Sequence, residues 1–271
     1  MSNARLTPLA ASLPSTVPFI GPEELERRRG TPFTARLGAN ENGFGPSPLA
    51  LAAMQDADGG IWQYGDPVSH DLRQALAAHW GCTIVTSQGA YPTFNYHVAG
   101  FGGTIQAVPY RDDAEDLPTL IARAAETDAK LIYFANPDNP MGSYLPGAEI
   151  AAALDALPSG TLLVLDEAYG ELAPDDATLP LPIDDPRVIR MRTFSKGYGM
   201  AGARIGYALG HPDLITAFDK VRNHFGLNRA AQAGALAALS DADWLTHIRA
   251  EVATARAELA RIARNHGLTA L

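Results

Sequence analysis

Cysteine is nearly absent from the sequence, with Cys82 the single one among 271 residues, so no internal disulfide can form. No apolar run approaches the roughly 20 residues that a membrane span needs. The first residues also lack the charged-then-apolar order of a secretory signal. These absences exclude a disulfide scaffold and favour a cytoplasmic protein with no membrane partner.

Positive charge is also scarce. The chain has 21 Lys and Arg against 30 Asp and Glu, a formal net charge of −9, and a pI of about 5.2. A nucleic-acid backbone or an anionic membrane surface would on average be repelled. The sequence therefore predicts no nucleic-acid partner, and small anions are expected only at local basic positions. No metal site is predicted.

What is present is enough for a full core, since 46% of the residues are hydrophobic and 19% are charged. Short apolar runs alternate with helical patterns through the middle of the chain. The predicted strands are Ile84-Val85, Thr104 to Val108, Lys130 to Ala135, Thr161 to Leu165, Val188 to Arg192 and Ile205 to Leu209. The predicted helices include Glu23 to Arg29, Pro46 to Met54, one from Ser69, Leu117 to Thr127, Gly147 to Leu157, Pro212 to Asn223, Asn228 to Ser240 and Ala242 to Asn265. This alternation predicts an α/β fold with a mainly parallel sheet.

Ligands of open α/β sheets gather at the carboxyl ends of the strands, so the residues that follow each apolar run are candidates. Asn139 follows the strand of Lys130 to Ala135, and Asp166 and Tyr169 follow the next one. Each also has a plainer interpretation: a turn residue, a helix cap and a packing aromatic.

A lysine follows the strand of Val188 to Arg192, in Thr193-Phe194-Ser195-Lys196-Gly197. Most lysines are solvated surface groups, but Lys196 lies among small and hydroxyl residues, where desolvation would favour a role as amine nucleophile. The Ser195 hydroxyl and the Arg204 guanidinium suit a phosphate. Arg204 is equally suited to pairing with a nearby acid.

Taken together and in order, these motifs resemble the pyridoxal-phosphate (PLP) aminotransferases of fold type I, class I/II. The likeness to histidinol-phosphate aminotransferases and their relatives extends through Leu37 to Pro48 (LGANENGFGPSP). Tyr64-Gly65-Asp66 and Tyr91 to Tyr96 fit as well. The resemblance implies a three-layer PLP-transferase fold, a small domain cut short, and a homodimer.

The resemblance also implies a role for each cofactor-binding residue. Lys196 would hold PLP as a Schiff base and shuttle the substrate proton, while Asp166 would face the protonated pyridine nitrogen. Asn139 and Tyr169 would bind the phenolic oxygen, and Phe94 would stack on the ring.

Other implied roles concern the phosphate and the substrate. Ser195 and Arg204 would hold the phosphate, and Tyr64 would reach the phosphate of the partner subunit's cofactor. Asn40 and Asn42 would approach the substrate. The plainer interpretations are a half-buried loop aromatic for Tyr64 and turn chemistry for the two asparagines.

In domain terms, residues 1–44 are predicted to be an N-terminal arm with part of a small domain. Residues 45–235 form the large PLP-binding domain, and residues 236–271 begin a C-terminal small domain. Two family features are missing: a strand and helix on the order of 30 residues near Thr83-Ile84, and a C-terminal arginine for the substrate carboxylate. The helix would cradle the phosphate with its N-terminus.

The function implied is transfer of an amino group between an amino acid or amine, of the histidinol-phosphate or aromatic type, and a 2-oxoacid such as 2-oxoglutarate. Two alternatives stay open. One is a PLP-dependent decarboxylase or lyase that uses the same Lys196 and Asp166. The other is a degenerate dimer that keeps the fold without catalysis.

Overall fold

The computed structural model describes residues 22–34, 42–60, 71–72, 85–86, 106–219 and 226–270. The chain divides into two compact units, one of Met1–Glu41 with Ala90–Ala107 and one of Asn42–Gly89 with Val108–Leu271. In the first unit the predicted short helix is present as α1 (Pro22–Arg29). The Phe33 backbone N–H donates to Glu26 Oε1 at 2.9 Å, which ties the following turn to the helix.

The second unit contains a five-stranded sheet. Its strands are β1 (Val85–Thr86), β2 (Leu131–Ala135), β3 (Leu162–Asp166), β4 (Val188–Thr193) and β5 (Gly206–Leu209). Their spatial order is β1-β5-β4-β3-β2. β2, β3 and β4 are parallel, whereas β5 is antiparallel to both of its neighbours. Four strands therefore run in one direction, and the prediction of a mainly parallel sheet is confirmed.

Six helices accompany the sheet in the described part of this unit. They are α2 (Pro48–Asp58), α3 (Leu117–Thr127), α4 (Gly147–Ala153), α5 (Pro212–Asp219), α6 (Arg229–Ser240) and α7 (Ala242–Asn265). Side-chain caps explain where several begin, as Ser47 accepts from Ala50 N, Asp116 from Thr119 N and Asn228 from Ala231 N. No helix among the residues described is long and apolar enough to cross a membrane.

Both faces of the sheet are covered, which explains the continuous apolar runs. On one face, side chains of β2 and β3 pack against α3 and α4; this cluster includes Ile132, Phe134, Leu163, Leu165, Ile121 and Ile150. On the other face, Val164, Ile189, Met191 and Ala208 pack with Ile215 of α5. Neighbouring residues of each strand thus enter different cores.

One predicted strand is wrong where the structure describes it. Residues 106–110 form no strand, although Thr104 to Val108 was predicted to form one. Pro109 lacks an N–H and cannot donate to a ladder. The chain instead closes a turn through the bridge between Arg111 and Ala114. The predicted helix from Ser69 lies outside the described residues except for a short helical segment at 71–72.

The loop that follows β4 is locked by a close backbone approach. Gly199 has a φ of +68°, and a Cβ added there would lie 2.3 Å from the carbonyl oxygen of Gly45. Glycine is therefore required for two reasons, its left-handed backbone and the missing Cβ. This contact joins the segment before α2 to the segment that carries Lys196.

Substitution Gly199→Ala should destabilise the protein by about 2 kcal/mol or more, since it adds a backbone clash to left-handed strain. Gly160→Ala is the matched control, because Gly160 also has a positive φ (+82°) but has nothing within 4 Å of an added Cβ. The control should lose only the strain, roughly 1 kcal/mol. Urea unfolding measures both, and equal losses would show that the Gly45 contact is unimportant.

Candidate functional site

The carboxyl ends of three parallel strands converge at one edge of the sheet. Ala135 at the end of β2 pairs in register with Asp166 at the end of β3, which pairs with Met191 in β4. The loops that follow therefore start side by side. These loops carry Asn139 and Lys196, so chain order and register place the predicted residues at this edge.

Asp166 presents a carboxylate whose two oxygens both accept hydrogen bonds. Oδ1 accepts from the Ala168 backbone N–H at 2.9 Å, and Oδ2 accepts from the Tyr133 hydroxyl. Burial raises the pKa of Asp166 above its ordinary value, while these two bonds and the charge of Lys196 oppose the shift. Lys196 is therefore close enough for its charge to act on this carboxylate.

Asn139, Tyr169 and Lys196 lie together. The Asn139 side-chain amide donates to the Tyr169 hydroxyl at 2.9 Å. Lys196 Nζ lies 5.5 Å from the centre of the Tyr169 ring. Tyr169 thus contacts Asn139 through its hydroxyl and lies near the Lys196 amine, so side chains from three loops meet around this ring.

Asn42 approaches the same loop from the segment before α2. Its side-chain amide donates to the Gly197 carbonyl at 3.3 Å, and its Oδ1 accepts from the Phe44 backbone N–H at 3.0 Å. Asn42 therefore forms a turn, as its plainer interpretation has it, and also contacts the residue next to Lys196.

The two residues predicted to hold a phosphate occupy different environments. Ser195 is 9% exposed. Arg204 is exposed, adopts a left-handed backbone with a φ of 55°, and donates to the Ala201 carbonyl at 2.9 Å. Both residues are described by the structure, and no hydrogen bond joins them. Their shared role in binding a phosphate stays a prediction. Asn40, Tyr64 and Phe94 lie outside the described residues, and their roles also stay predictions.

A buried charge network underlies the site, and sequence reasoning missed it. Glu167 points to the opposite face of the sheet from Asp166 because side chains alternate. Its carboxylate accepts from Arg190 at 2.8 and 2.9 Å and from Arg192 at 2.9 Å. Burial alone would raise the pKa of Glu167, but the two arginine charges outweigh it and hold the pKa below its usual range. The sequence does contain a signal for this network, because Arg190 and Arg192 lie within an otherwise largely apolar strand.

Glu171 extends this network beneath the lysine loop. Its Oε1 accepts from Arg192 at 3.1 Å, and burial raises its pKa. Its Oε2 is buried with no hydrogen-bond partner among the residues described. A cavity of about 180 Å³, lined in part by Tyr198 and Arg249, lies beside it. The cavity is separate from the group formed by Asp166, Asn139 and Tyr169.

A further acid near the site was also missed. Glu115 Oε2 accepts from the Ala135 backbone N–H at 3.0 Å. Burial raises the pKa of Glu115 to about 7, and the charges of Asp138 and Asp166 act in the same direction. Asp138 in turn accepts from the Tyr110 hydroxyl at 2.9 Å. No sequence motif marks Glu115, because only the fold brings it to the end of β2.

The α/β fold, with a lysine and a carboxylate on loops at one edge of its sheet, is the one predicted for a protein of the aminotransferase type, and the family comparison shows this class. A model of the family described as aminotransferase class I and II matches residues 78–270. The chain therefore belongs to the aminotransferase class I and II family, a family of PLP-dependent transaminases.

Individual relatives are consistent with this membership. The chain is 37% identical over 300 residues to a histidinol-phosphate aminotransferase of Anaeromyxobacter sp. (strain Fw109-5), covering 97% of this chain and 79% of that protein. It is 33% identical to an aromatic amino acid aminotransferase of Mycolicibacterium paratuberculosis, over 87% of this chain and 73% of that protein.

Among solved structures, the chain is similar to histidinol-phosphate aminotransferase from Sinorhizobium meliloti in complex with pyridoxal-5'-phosphate. The TM-score is 0.92 at 48% identity, covering 99% of this chain and 80% of the other. The PLP-transferase fold predicted for the chain is confirmed.

The raised pKa of Glu115 has a consequence for stability. The folded-state pKa of about 7 lies above the ordinary value of 4.5, so the unfolded chain releases this proton first as pH rises. Relative to Glu115→Gln, the wild type should lose stability between about pH 4.5 and pH 7 and change little above that range. Urea unfolding of both proteins from pH 4.5 to pH 8 measures this. Parallel curves would contradict the assignment.

Proposed function

We propose that the protein is a PLP-dependent aminotransferase that moves an amino group between histidinol phosphate, or an aromatic amino acid, and a 2-oxoacid such as 2-oxoglutarate. The observation that carries the proposal is the Lys196 amine, 5.5 Å from the centre of the Tyr169 ring, on a loop that leaves the same edge of the parallel sheet as Asp166. The names of the Anaeromyxobacter, Sinorhizobium and Mycolicibacterium proteins support the substrate classes.

The donor set fits PLP. Asp166 supplies a carboxylate, already oriented by two hydrogen bonds, for a protonated pyridine nitrogen. The Tyr169 hydroxyl and the Asn139 amide are 2.9 Å apart, which supports the proposal that both bind one phenolic oxygen. Lys196 supplies the amine. Ser195 and Arg204 are the residues proposed for the phosphate, and Phe94 for the face of the ring.

When bound, PLP supplies an electron sink for the pair released at the substrate α-carbon. The protein residues supply the rest. Lys196 Nζ holds the cofactor and then carries the proton to and from the α-carbon. Asp166 would hold a negative charge against the ring nitrogen, and Tyr169 with Asn139 would hold the phenolic oxygen. We assign Asn42 and Asn40 to the substrate side and Tyr64 to the partner subunit's phosphate.

The proposed site has few groups that could bind the phosphate of the cofactor. We propose that the strand and helix expected near Thr83-Ile84 are absent from this chain, which removes backbone donors and a helix dipole. The match to the Anaeromyxobacter enzyme runs over 300 residues although this chain has only 271, so that enzyme has residues within the matched region that this chain lacks. Cofactor affinity would then rest mainly on Lys196, Asp166, Ser195 and Arg204.

The group that would bind the substrate carboxylate is also not assigned. In the family this group is an arginine, and no residue among 1–271 corresponds to it. The proposal includes a homodimer, since the partner's Tyr64 would complete each phosphate site. It also includes a cytoplasmic location, which the single cysteine supports.

Substitution Lys196→Ala should abolish the visible absorption that PLP acquires when it is bound covalently. It should also lower transamination by at least on the order of 100-fold, because the proton carrier is lost. Lys130→Ala is the matched control, since Lys130 is an exposed lysine paired with Asp128. Absorption spectra after removal of free PLP measure the first effect. A folded wild type that acquires no such band would reject the proposal.

A comparison of amino donors distinguishes the two substrate classes, histidinol phosphate and aromatic amino acids. With 2-oxoglutarate as acceptor, kcat/KM for histidinol phosphate should exceed that for phenylalanine by roughly tenfold or more, because a phosphate can form charge-assisted hydrogen bonds. A coupled glutamate assay measures both values. A higher kcat/KM for phenylalanine would move the proposal to the aromatic class.

The other chemistries remain distinguishable by product. A decarboxylase would release CO₂, and a β-lyase would release pyruvate and ammonia, without any dependence on a 2-oxoacid. A degenerate scaffold would form a stable dimer that does not bind PLP. The proposed absence of the phosphate cradle is what favours that last candidate.

A further inference from the structure

Tyr133 is placed by strand register to reach the central carboxylate of the site. It lies in β2 two residues before Ala135, the register partner of Asp166 in β3. Because side chains two apart in a strand share a face, and register partners of parallel strands do too, Tyr133 and Asp166 project from the same face. The Tyr133 hydroxyl donates to Asp166 Oδ2.

With this bond, each oxygen of the Asp166 carboxylate accepts a hydrogen bond from a different part of the chain. The Ala168 N–H, just beyond β3, holds Oδ1, and the hydroxyl from β2 holds Oδ2. Rotation of the carboxylate about its Cβ–Cγ bond would break both bonds. Both donors also favour the ionised form, because they stabilise a negative charge.

The surroundings of Asp166 otherwise work largely against ionisation. Burial disfavours the charge, and the carboxylate of Glu167 adds to this effect. The charge of Asp166 also acts on Glu115, where it disfavours ionisation. Among the described side chains that act on Asp166, Lys196 favours the charged form through its own charge, and Tyr133 does so through a hydrogen bond.

We propose that Tyr133 is a positioning residue that keeps Asp166 ionised and oriented toward the pyridine nitrogen of the cofactor. This inference rests on the proposed function, because it needs a cofactor with a basic ring nitrogen. Tyr133 does not itself touch that ring in this assignment. Its effect passes through the Asp166 carboxylate.

The test compares PLP dissociation constants of the wild type, Tyr133→Phe and the control Tyr144→Phe across a range of pH. Tyr144 is a partly exposed tyrosine of the loop after β2. Near neutral pH, Tyr133→Phe should weaken PLP binding roughly tenfold, as expected for a lost hydrogen bond to a charged group. The acid limit of PLP binding should move to higher pH, since Asp166 then protonates more readily. Tyr144→Phe should match the wild type.

A double substitution distinguishes positioning from packing. In an Asp166→Asn background, Tyr133→Phe should cause little further loss of PLP affinity, since the carboxylate through which it acts is gone. Circular dichroism and thermal melting of the unliganded proteins check that each variant folds. An equal loss in both backgrounds would assign Tyr133 to packing and overturn the inference.

The outcomes also separate this inference from the proposed function. If the wild type binds PLP, and Tyr133→Phe binds it equally well with the same acid limit, the positioning role is rejected while the function stands. If the folded wild type does not bind PLP, the proposed function fails and the inference fails with it.

Discussion

The parallel register of β2, β3 and β4 is the constraint on which the site depends. Ala135, Asp166 and Met191 lie side by side, so three loops leave the sheet at one edge and in a set order. A shift of one residue in β3 would turn Asp166 to the opposite face and bring Glu167 into its place. The continuous apolar cores on both faces oppose such a shift, because each strand buries two different sets of side chains.

The adjacent acids Asp166 and Glu167 project from opposite faces of the sheet and have different roles: Asp166 belongs to the candidate site, and Glu167 pairs with buried arginines. Glu167 is neutralised by two arginines in the core, and removal of one partner from such a buried group would leave an uncompensated charge. Glu171 connects this network to the lysine loop, where a Cβ on Gly197 would lie 2.8 Å from Glu171 Cβ. The lysine loop therefore packs against this buried charge network, and Asp166 projects from the other face of the sheet.

The arrangement of charge explains why neighbours of Asp166 matter. A carboxylate against a ring nitrogen must stay ionised in a partly dry site, and burial works against that state. Lys196, Tyr133 and the Ala168 N–H oppose the effect of burial, whereas the charge of Glu167 adds to it. The acid–base behaviour of the site is thus a property of several elements together.

Local sequence patterns were enough to predict most of the described helices and strands and the main chemical groups of the site. Apolar runs and helical patterns placed α3, α7 and β2 to β5 nearly to the residue, and motif order singled out Lys196, Asp166, Asn139 and Tyr169. The reversal of β5, the exposure of Arg204 and the approach of Tyr133 and Glu115 to Asp166 were decided only by the tertiary structure. The reason is physical: spacing along a chain encodes local periodicity, whereas contacts between strands and the burial of charge depend on register and packing.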